Sequence, residues 1–307
     1  MKSLFGNAAL VLSIILILSC AGKEHRKPSG GLEVIDDLGN PVLIDSIPRR
    51  IISLAPNLTE IIFDLGAGDK LAGNTLYCNY PPEARYVEKV GDLLTVDFEK
   101  VLSLKPDLIF ITVEGNRKET FDKFKSLGLK VFVSNPRNYE GVKKSYLGIA
   151  RILGKEKYAL EKIEMWDRLL DSIRNKSRGE KPKTAMLPVE LKPLMLAGKN
   201  TFLNEYLEFC GLVNIADDPL INYPVFNREE ILVRNPDYII ILSDGKLKTE
   251  DLLDLYPEWK DLKAVRNGNV IFADRDLYSR PGPRFAEAAA DLFNLLHPEE
   301  SLRYPER

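Results

Sequence analysis

The sequence predicts an α/β protein of two like lobes, each on a mainly parallel sheet, joined by a single long helix. Three observations carry this prediction. A helix–loop–strand phrase, FEKVLSLKPDLIFIT from Phe98, returns about 130 residues later as REEILVRNPDYIIIL from Arg228. Glu99 aligns with Glu229, Leu102 with Leu232, Pro106 with Pro236 and Asp107 with Asp237. Short apolar runs alternate with amphipathic helical periods in both halves, the pattern of parallel strands linked by helices. A long helical stretch lies between the halves. So long a period is not that of a solenoid, whose units are roughly 20–50 residues. It implies two lobes, and clefts between lobes bind ligands.

The first lobe begins near Leu32. Arg50 to Ala55 is apolar and β-branched and reads as a buried strand. Pro56 opens a helix with Asn57 or Thr59 as N-cap, Ile61, Ile62 and Leu65 on its apolar stripe, and Gly66 at its end. Lys70 to Gly73 is a short second strand. Asp97 caps a helix from Phe98 to Lys105; Pro106 cannot continue it, and the strand Asp107 to Thr112 follows. Glu119 to Leu127 is a helix stopped by Gly128, and Lys130 to Ser134 is the next strand. From Tyr139 to Arg178 apolar residues recur at helical spacing, among them Tyr146, Ile149, Leu153, Trp166, Leu170 and Ile173, with a dent expected at Gly154.

The second lobe begins near Pro182. It has a strand from Thr184 to Leu191 and a helix from Thr201 to Phe209 closed by Gly211. A helix capped by Asn227 leads to a strand from Asp237 to Leu242. A strand from Asn269 to Ala273 and a helix from Arg284 to Leu296 complete it. The resulting division is 1–19, 20–31, 32–138, 139–178 and 179–307.

The chain is 45% hydrophobic and 29% charged, as a soluble globular protein should be. A net charge of -2 without blocks of like charge gives nucleic acid no electrostatic footprint. The first 31 residues stand apart. After Lys2, the run Ala8 to Leu18 is apolar except for Ser13. It falls short of the about 20 residues of a membrane span and fits the core of a secretory signal. It ends in Ile17-Leu18-Ser19-Cys20, which resembles the bacterial lipobox. That resemblance implies removal of residues 1–19 and lipidation of Cys20. An ordinary signal peptide, or a short anchor with an incidental cysteine, is the plainer alternative. Residues 20–31 then form a polar, flexible tether. Cys78 and Cys210 fall in different lobes, where a bridge would staple the cleft shut. Both are therefore expected as unpaired thiols even in an oxidising compartment.

No Gly-x-Ser-x-Gly, Walker A or Cys-x-x-Cys pattern occurs. The two histidines are His25, in the tether, and His297, near the end. They offer no Ser–His chemistry and no zinc or manganese site. The reading is a binding protein, not an enzyme, with no metal site of its own.

RRIISLAPNLTEIIFDLGAGDKLAG from Arg49, YCNYPPEA from Tyr77, FEKVLSLKPDLIF, SLGLKVF, NREEILVRNPDYIII and SRPGPRFAEAA occur in a set order. Together they resemble the substrate-binding proteins of bacterial ABC importers for cobalamin and ferric siderophores, over roughly residues 49–297. Tyr77-Cys78-Asn79-Tyr80-Pro81-Pro82 is closest to the cobalamin-binding branch. The resemblance implies two Rossmann-like lobes joined by one long helix, and a cobalt corrinoid or iron chelate carried in the cleft. It implies no cofactor beyond that ligand, an ABC permease dimer with its ATPase subunits as partner, and a place in the periplasm or on the cell surface. Leu93 or Leu94, Thr112, Leu277 and Tyr223 stand where that branch has cleft tryptophans, which leaves the ligand open. A haem-binding protein of the same fold, or a surface receptor or adhesin lipoprotein, is the alternative.

Tyr77, Tyr80, Tyr223 and Tyr278 are the candidate cleft aromatics, because a rigid ring with one polar tip suits a flat chelate. Each is otherwise a core-packing or surface residue. Arg280 is a candidate for a carboxylate or phosphate on the ligand. Arg284 is a weaker one, with a surface or helix-entry charge as the plain reading. Asn116, Met195, Lys199 and Phe226 are weaker still. Glu99 and Glu229 suit the positive ends of their helices. The resemblance adds that each meets an arginine on one of two permease subunits.

Overall fold

The computed structural model describes residues 31–178, 181–218, 220–300 and 302. The expectations for residues 1–30, lipidation of Cys20 included, lie outside the described residues.

The chain opens with an antiparallel hairpin, β1 (Leu32–Ile35) and β2 (Pro41–Ile44), whose inner face buries Val34, Val42 and Ile44. The first lobe follows as β3 (Ile51–Ser53), α1 (Pro56–Asp64), β4 (Leu71–Asn74), α2 (Phe98–Ser103), β5 (Leu108–Thr112), α3 (Lys118–Ser126) and β6 (Val131–Ser134). Its sheet has the order β4-β3-β5-β6, all parallel. Two helices come next, α4 (Tyr139–Ile152) and α5 (Glu156–Lys176).

The second lobe begins with β7 (Lys183–Met186), the hairpin β8 (Pro188–Leu191) and β9 (Leu194–Leu196), α6 (Phe202–Phe209) and β10 (Leu212–Asn214). It continues with α7 (Arg228–Arg234), β11 (Tyr238–Ser243), α8 (Thr249–Leu255) and α9 (Lys263–Arg266). It ends with β12 (Val270–Asp274), α10 (Arg275–Tyr278) and α11 (Phe285–Leu296). Its sheet, β10-β7-β11-β12, is again all parallel and repeats the strand order of the first. Strands 3–6 residues long with almost wholly buried central members need helices on both faces, which is why both lobes read as α/β.

The repeated phrase folds the same way twice. Lys105 and Asn235 both take a left-handed turn (φ 47° and 42°) before the Pro-Asp pair. Asp107 Oδ2 then accepts from the backbone N–H groups of Arg49 and Arg50, just before β3. Asp237 Oδ2 accepts from the N–H and hydroxyl of Thr184, in β7. In each lobe the aspartate thus pins the entrance of the third strand to that of the first.

Three elements differ from their sequence expectation. The N-cap of α1 is Ala55, because Pro56 supplies the first helical residue with its φ already set. Asn57 instead donates to the Pro281 carbonyl, and Thr59 to Ser53 and Cys78. The apolar run 184–191 breaks at Leu187 into β7 and the β8–β9 hairpin. Apolarity alone does not show a chain leaving one sheet for another. The helical stretch 139–178 divides at Gly154, which takes φ 68° and ends α4. The long helix that runs on to the second lobe is α5, and α4 stays with the first lobe against β1 and α1.

The largest hydrophobic cluster is shared by both lobes, and each lobe has a smaller one of its own. Phe285 of α11 stacks on Tyr139 of α4 at 5.1 Å and packs on Tyr206 of α6 at 4.6 Å. Trp166 of α5 lies against Tyr146, fully buried. Lys162 of α5 and Asp64 of α1 form a buried ion pair at 2.8 Å. Cys78 and Cys210 are both buried thiols.

Candidate ligand-binding cleft

The loops leaving the C-terminal ends of both sheets converge on one cavity of about 700 Å³. An open parallel sheet offers its ligands this end, because the loops there splay apart and bring side chains together. From the first lobe come Asn57 after β3, Leu76, Tyr77 and Asn79 after β4, and Thr112 and Glu114 at the end of β5. From the second come Met195 of β9, Phe202 of α6, Tyr223, Leu242 of β11, and Arg275 and Arg280 after β12. The walls are mostly apolar with a few polar groups, and the volume is typical of a small-molecule site.

The base of the cleft is an ionic network. Glu60 of α1, buried to 2% exposure, accepts from two arginines of the other lobe. Arg280 Nη1 lies 2.9 Å from its Oε1; Arg284 bonds both oxygens, Nε to Oε2 at 2.9 Å and Nη2 to Oε1 at 2.7 Å. Arg280 Nη2 also pairs with Asp276 at 2.8 Å, and Asn79 donates to the other oxygen of Asp276 at 2.7 Å. Two carboxylates and two guanidiniums balance, so the floor carries no net charge. Burial lowers the Arg284 pKa, but the hydrogen bond and charge of Glu60 outweigh it and hold that pKa above its ordinary value.

The cleft is also bridged between its walls. Tyr223 Oη donates to Glu114 Oε2 at 3.4 Å, one group from each lobe. Crowding by this wall raises the Glu114 pKa, with Arg137 and the tyrosine hydrogen bond opposing. The loop that presents Tyr77 is tied back by Lys89, whose ammonium donates to Asn74 Oδ1 at 2.6 Å and to the carbonyls of Cys78 and Ala84. Tyr77 itself is 56% exposed, so its ring is free to meet a ligand.

Leu93 and Tyr223 occupy equivalent places in the repeat, and both line the cleft. Each is followed by a capping residue, Asp97 or Asn227, whose side chain accepts from the third residue of the helix. Glu99 and Glu229 are then the second residue of α2 and α7, both exposed, and neither forms a hydrogen bond or ion pair among the described residues.

Two like parallel lobes around such a cleft fit the match of residues 51–277 to the periplasmic binding protein family. The chain belongs to that family. Among its relatives is the uncharacterized ABC transporter substrate-binding lipoprotein YvrC of Bacillus subtilis, 33% identical over 95% of this chain and 96% of its own. The vitamin B12-binding protein of Photorhabdus laumondii is 29% identical over 81% of this chain and 88% of its own. Among solved structures, the periplasmic vitamin B12-binding protein BtuF of Vibrio cholerae superposes with a TM-score of 0.70 at 28% identity, covering 81% of this chain and 97% of that one. The resemblance read from the motifs, and the two-lobed α/β fold it implied, are borne out.

Within this family fold the individual candidates separate. Tyr77 and Tyr223 line the cleft, and so does Arg280, although its guanidinium is taken up by Glu60 and Asp276. Tyr278 does not: it is fully buried, donates to Asp291 at 2.9 Å and packs edge-on to Tyr206. It follows β12 by one helical turn, and that turn rotates it into the core. Tyr80 stands outside the cavity with Arg284 over its ring at 4.0 Å. Arg284 is no surface charge but half of the Glu60 clamp.

Met195 lines the cavity, whereas Asn116 supports it from behind by donating to the Leu54 and Leu93 carbonyls. Phe226 is core, and Lys199 is exposed but away from the cavity. Leu93 and Thr112 line the cleft, Leu277 is buried beside it, and Leu94 is exposed outside it. Sequence reading missed Glu60, Glu114, Arg275 and Asp276. The SRPGPR turn was a signal for the arginines, but nothing in a single sequence pairs them with a glutamate more than 200 residues away.

Proposed function

We propose that this protein is the lipid-anchored, extracytoplasmic substrate-binding component of an ABC importer, and that it carries a metal chelate, either a cobalt corrinoid or a ferric siderophore. The observation that carries the reading is the cleft of about 700 Å³, mostly apolar, with Tyr77 and Tyr223 entering from opposite lobes. Rigid rings on two walls hold a flat or rounded chelate with little loss of side-chain entropy. Among the described residues no three His, Cys, Asp or Glu side chains gather around a metal position, so the ligand brings its own donors. The names of the relatives point the same way, one a substrate-binding lipoprotein and two vitamin B12-binding proteins.

In this reading residues 1–19 are a signal peptide, Cys20 carries the lipid and residues 20–31 are the tether. The protein acts by binding and handing over its ligand, without chemistry of its own. Glu99 and Glu229, unpaired at equivalent helix starts, meet the two subunits of the permease. Titration of the purified protein with cyanocobalamin, haemin and ferric siderophores, followed by absorption spectra, tests the ligand class. A saturable change with the corrinoid or a siderophore upholds the reading. A response to haemin alone assigns the protein to haem, and none at all favours a surface receptor.

A further inference from the structure

The charges around the cleft do not all serve the same purpose. Four charged side chains line the cavity: Glu114, Arg275, Asp276 and Arg280. Arg280 is held by Glu60 at 2.9 Å and by Asp276 at 2.8 Å, and is itself buried to 6% exposure. Asp276 is held by Arg280 and Asn79. Glu114 accepts from Tyr223. Arg275 differs from all of these. It is exposed and lines the cleft, and its one side-chain hydrogen bond among the described residues, Nη2 to the Leu242 carbonyl at 3.2 Å, steadies the guanidinium without neutralising it. It forms no ion pair among the described residues. The carboxylate next to it in sequence, Asp276, turns to Arg280 and Asn79 instead.

We infer that Arg275 is the specificity-determining cation of the cleft, and that the ligand carries a peripheral oxyanion, a phosphodiester or a carboxylate, which this guanidinium takes. The inference rests on the proposed carriage of a chelate and narrows it. A planar guanidinium presents two parallel N–H groups, and a phosphate or carboxylate presents two oxygens at matching separation. One bond to a carbonyl leaves most of the five donors free for such a pair. The carbonyl bond also fixes the group before the ligand arrives, which cuts the ordering cost of binding. Of the two arginines that line the cavity, Arg280 is paired in the floor network and Arg275 forms no ion pair among the described residues; Arg137 acts on Glu114 without lining the cavity.

The test compares the wild type with Arg275→Gln and Arg275→Lys in the intact protein. Cyanocobalamin carries a phosphodiester; dicyanocobinamide shares its corrin ring but lacks that group. Ferric citrate carries carboxylates; ferrichrome, a hydroxamate chelate, does not. Arg275→Gln should lose roughly tenfold or more in affinity for the anion-bearing member of whichever pair binds, and under threefold for the other, as expected for one charge-assisted pair. Arg275→Lys should fall between, keeping charge but not the fork. Loss against cyanocobalamin identifies the oxyanion as a phosphodiester, and loss against ferric citrate as a carboxylate. Equal loss for both members of a pair, or none, overturns the inference.

If the wild type binds no chelate, the proposed function falls. Arg275 is then judged on thermal melts with millimolar methyl phosphate and acetate. Protection of the wild type that is absent in Arg275→Gln upholds the anion subsite. Identical melts of the two proteins overturn it.

Discussion

Tyr223 and Glu114 reach each other from opposite lobes, phenol to carboxylate at 3.4 Å, and so bridge the cleft. The bond is single and close to the geometric limit, so it contributes at most about 1 kcal/mol. Tyr223→Phe should leave the melting temperature almost unchanged. Tyr77→Ala and Tyr223→Ala, which remove the rings themselves, should each weaken chelate binding by about 1–3 kcal/mol. Calorimetric titration measures both, and wild-type affinity in Tyr77→Ala would make that ring a packing residue only.

Glu60 is a costly side chain to remove at the lobe interface. Glu60→Ala leaves the Arg280 and Arg284 guanidiniums buried without their shared carboxylate. Loss of one partner of a buried pair costs about 3–5 kcal/mol. Urea denaturation should show a loss of that order. Ligand affinity should fall too, because Arg280 also donates to the Tyr77 carbonyl and so helps place that loop.

Glu205 of α6 accepts from the N–H of Tyr139 at the start of α4, a bond between lobes. Burial pushes its pKa up to about 7, from an ordinary 4.5. Glu208 and Glu140 add to the shift, and the Tyr139 N–H and Arg174 oppose it. The folded protein therefore binds more protons than the unfolded chain between those two values. Stability falls as pH rises through that window and stays lower above it. Glu205→Gln keeps an acceptor for Tyr139 and sheds the charge. It should be more stable than wild type by about 1–2 kcal/mol at pH 8, the gap closing toward pH 4. Denaturation midpoints at the two pH values test the sign.

The pairing of Glu99 with Glu229 predicts a separation of functions. Alanine at both positions should leave ligand binding in solution intact while lowering uptake and permease-stimulated ATP hydrolysis. Rim charges set orientation and association rate, so the deficit should narrow as salt is raised. Arginine at both positions should be worse than alanine. A double alanine variant that docks normally but binds ligand poorly would place these glutamates with the cleft instead.

Much of this architecture could be read from the chain. The Pro-Asp repeat, the alternation of strands and helices and the glycine stops rest on local rules, and Asp97 and Asn227 cap their helices as expected. The cleft was legible only in part. Tyr223 and Tyr278 are equally plausible in sequence, yet one faces the cavity and the other the core. A single helical turn decides between them, and its phase is set by packing against Tyr206 and α11. The burial of Arg280 and Arg284 had no local signal at all, since it depends on a carboxylate from the other lobe.

The shared aromatic core has a consequence for how this duplicated body behaves. Phe285, Tyr139 and Tyr206 belong to α11, α4 and α6, so the largest hydrophobic cluster is common property, and each lobe keeps only a smaller private cluster beside it. Symmetry of plan therefore does not confer modularity. Cut after residue 178, each half would expose the surface that the other covers, and neither should survive as a soluble fragment. The intact molecule should melt in one calorimetric transition, with van't Hoff and calorimetric enthalpies in agreement. Two architectural units thus form a single cooperative one, and a substitution in either half is felt by both.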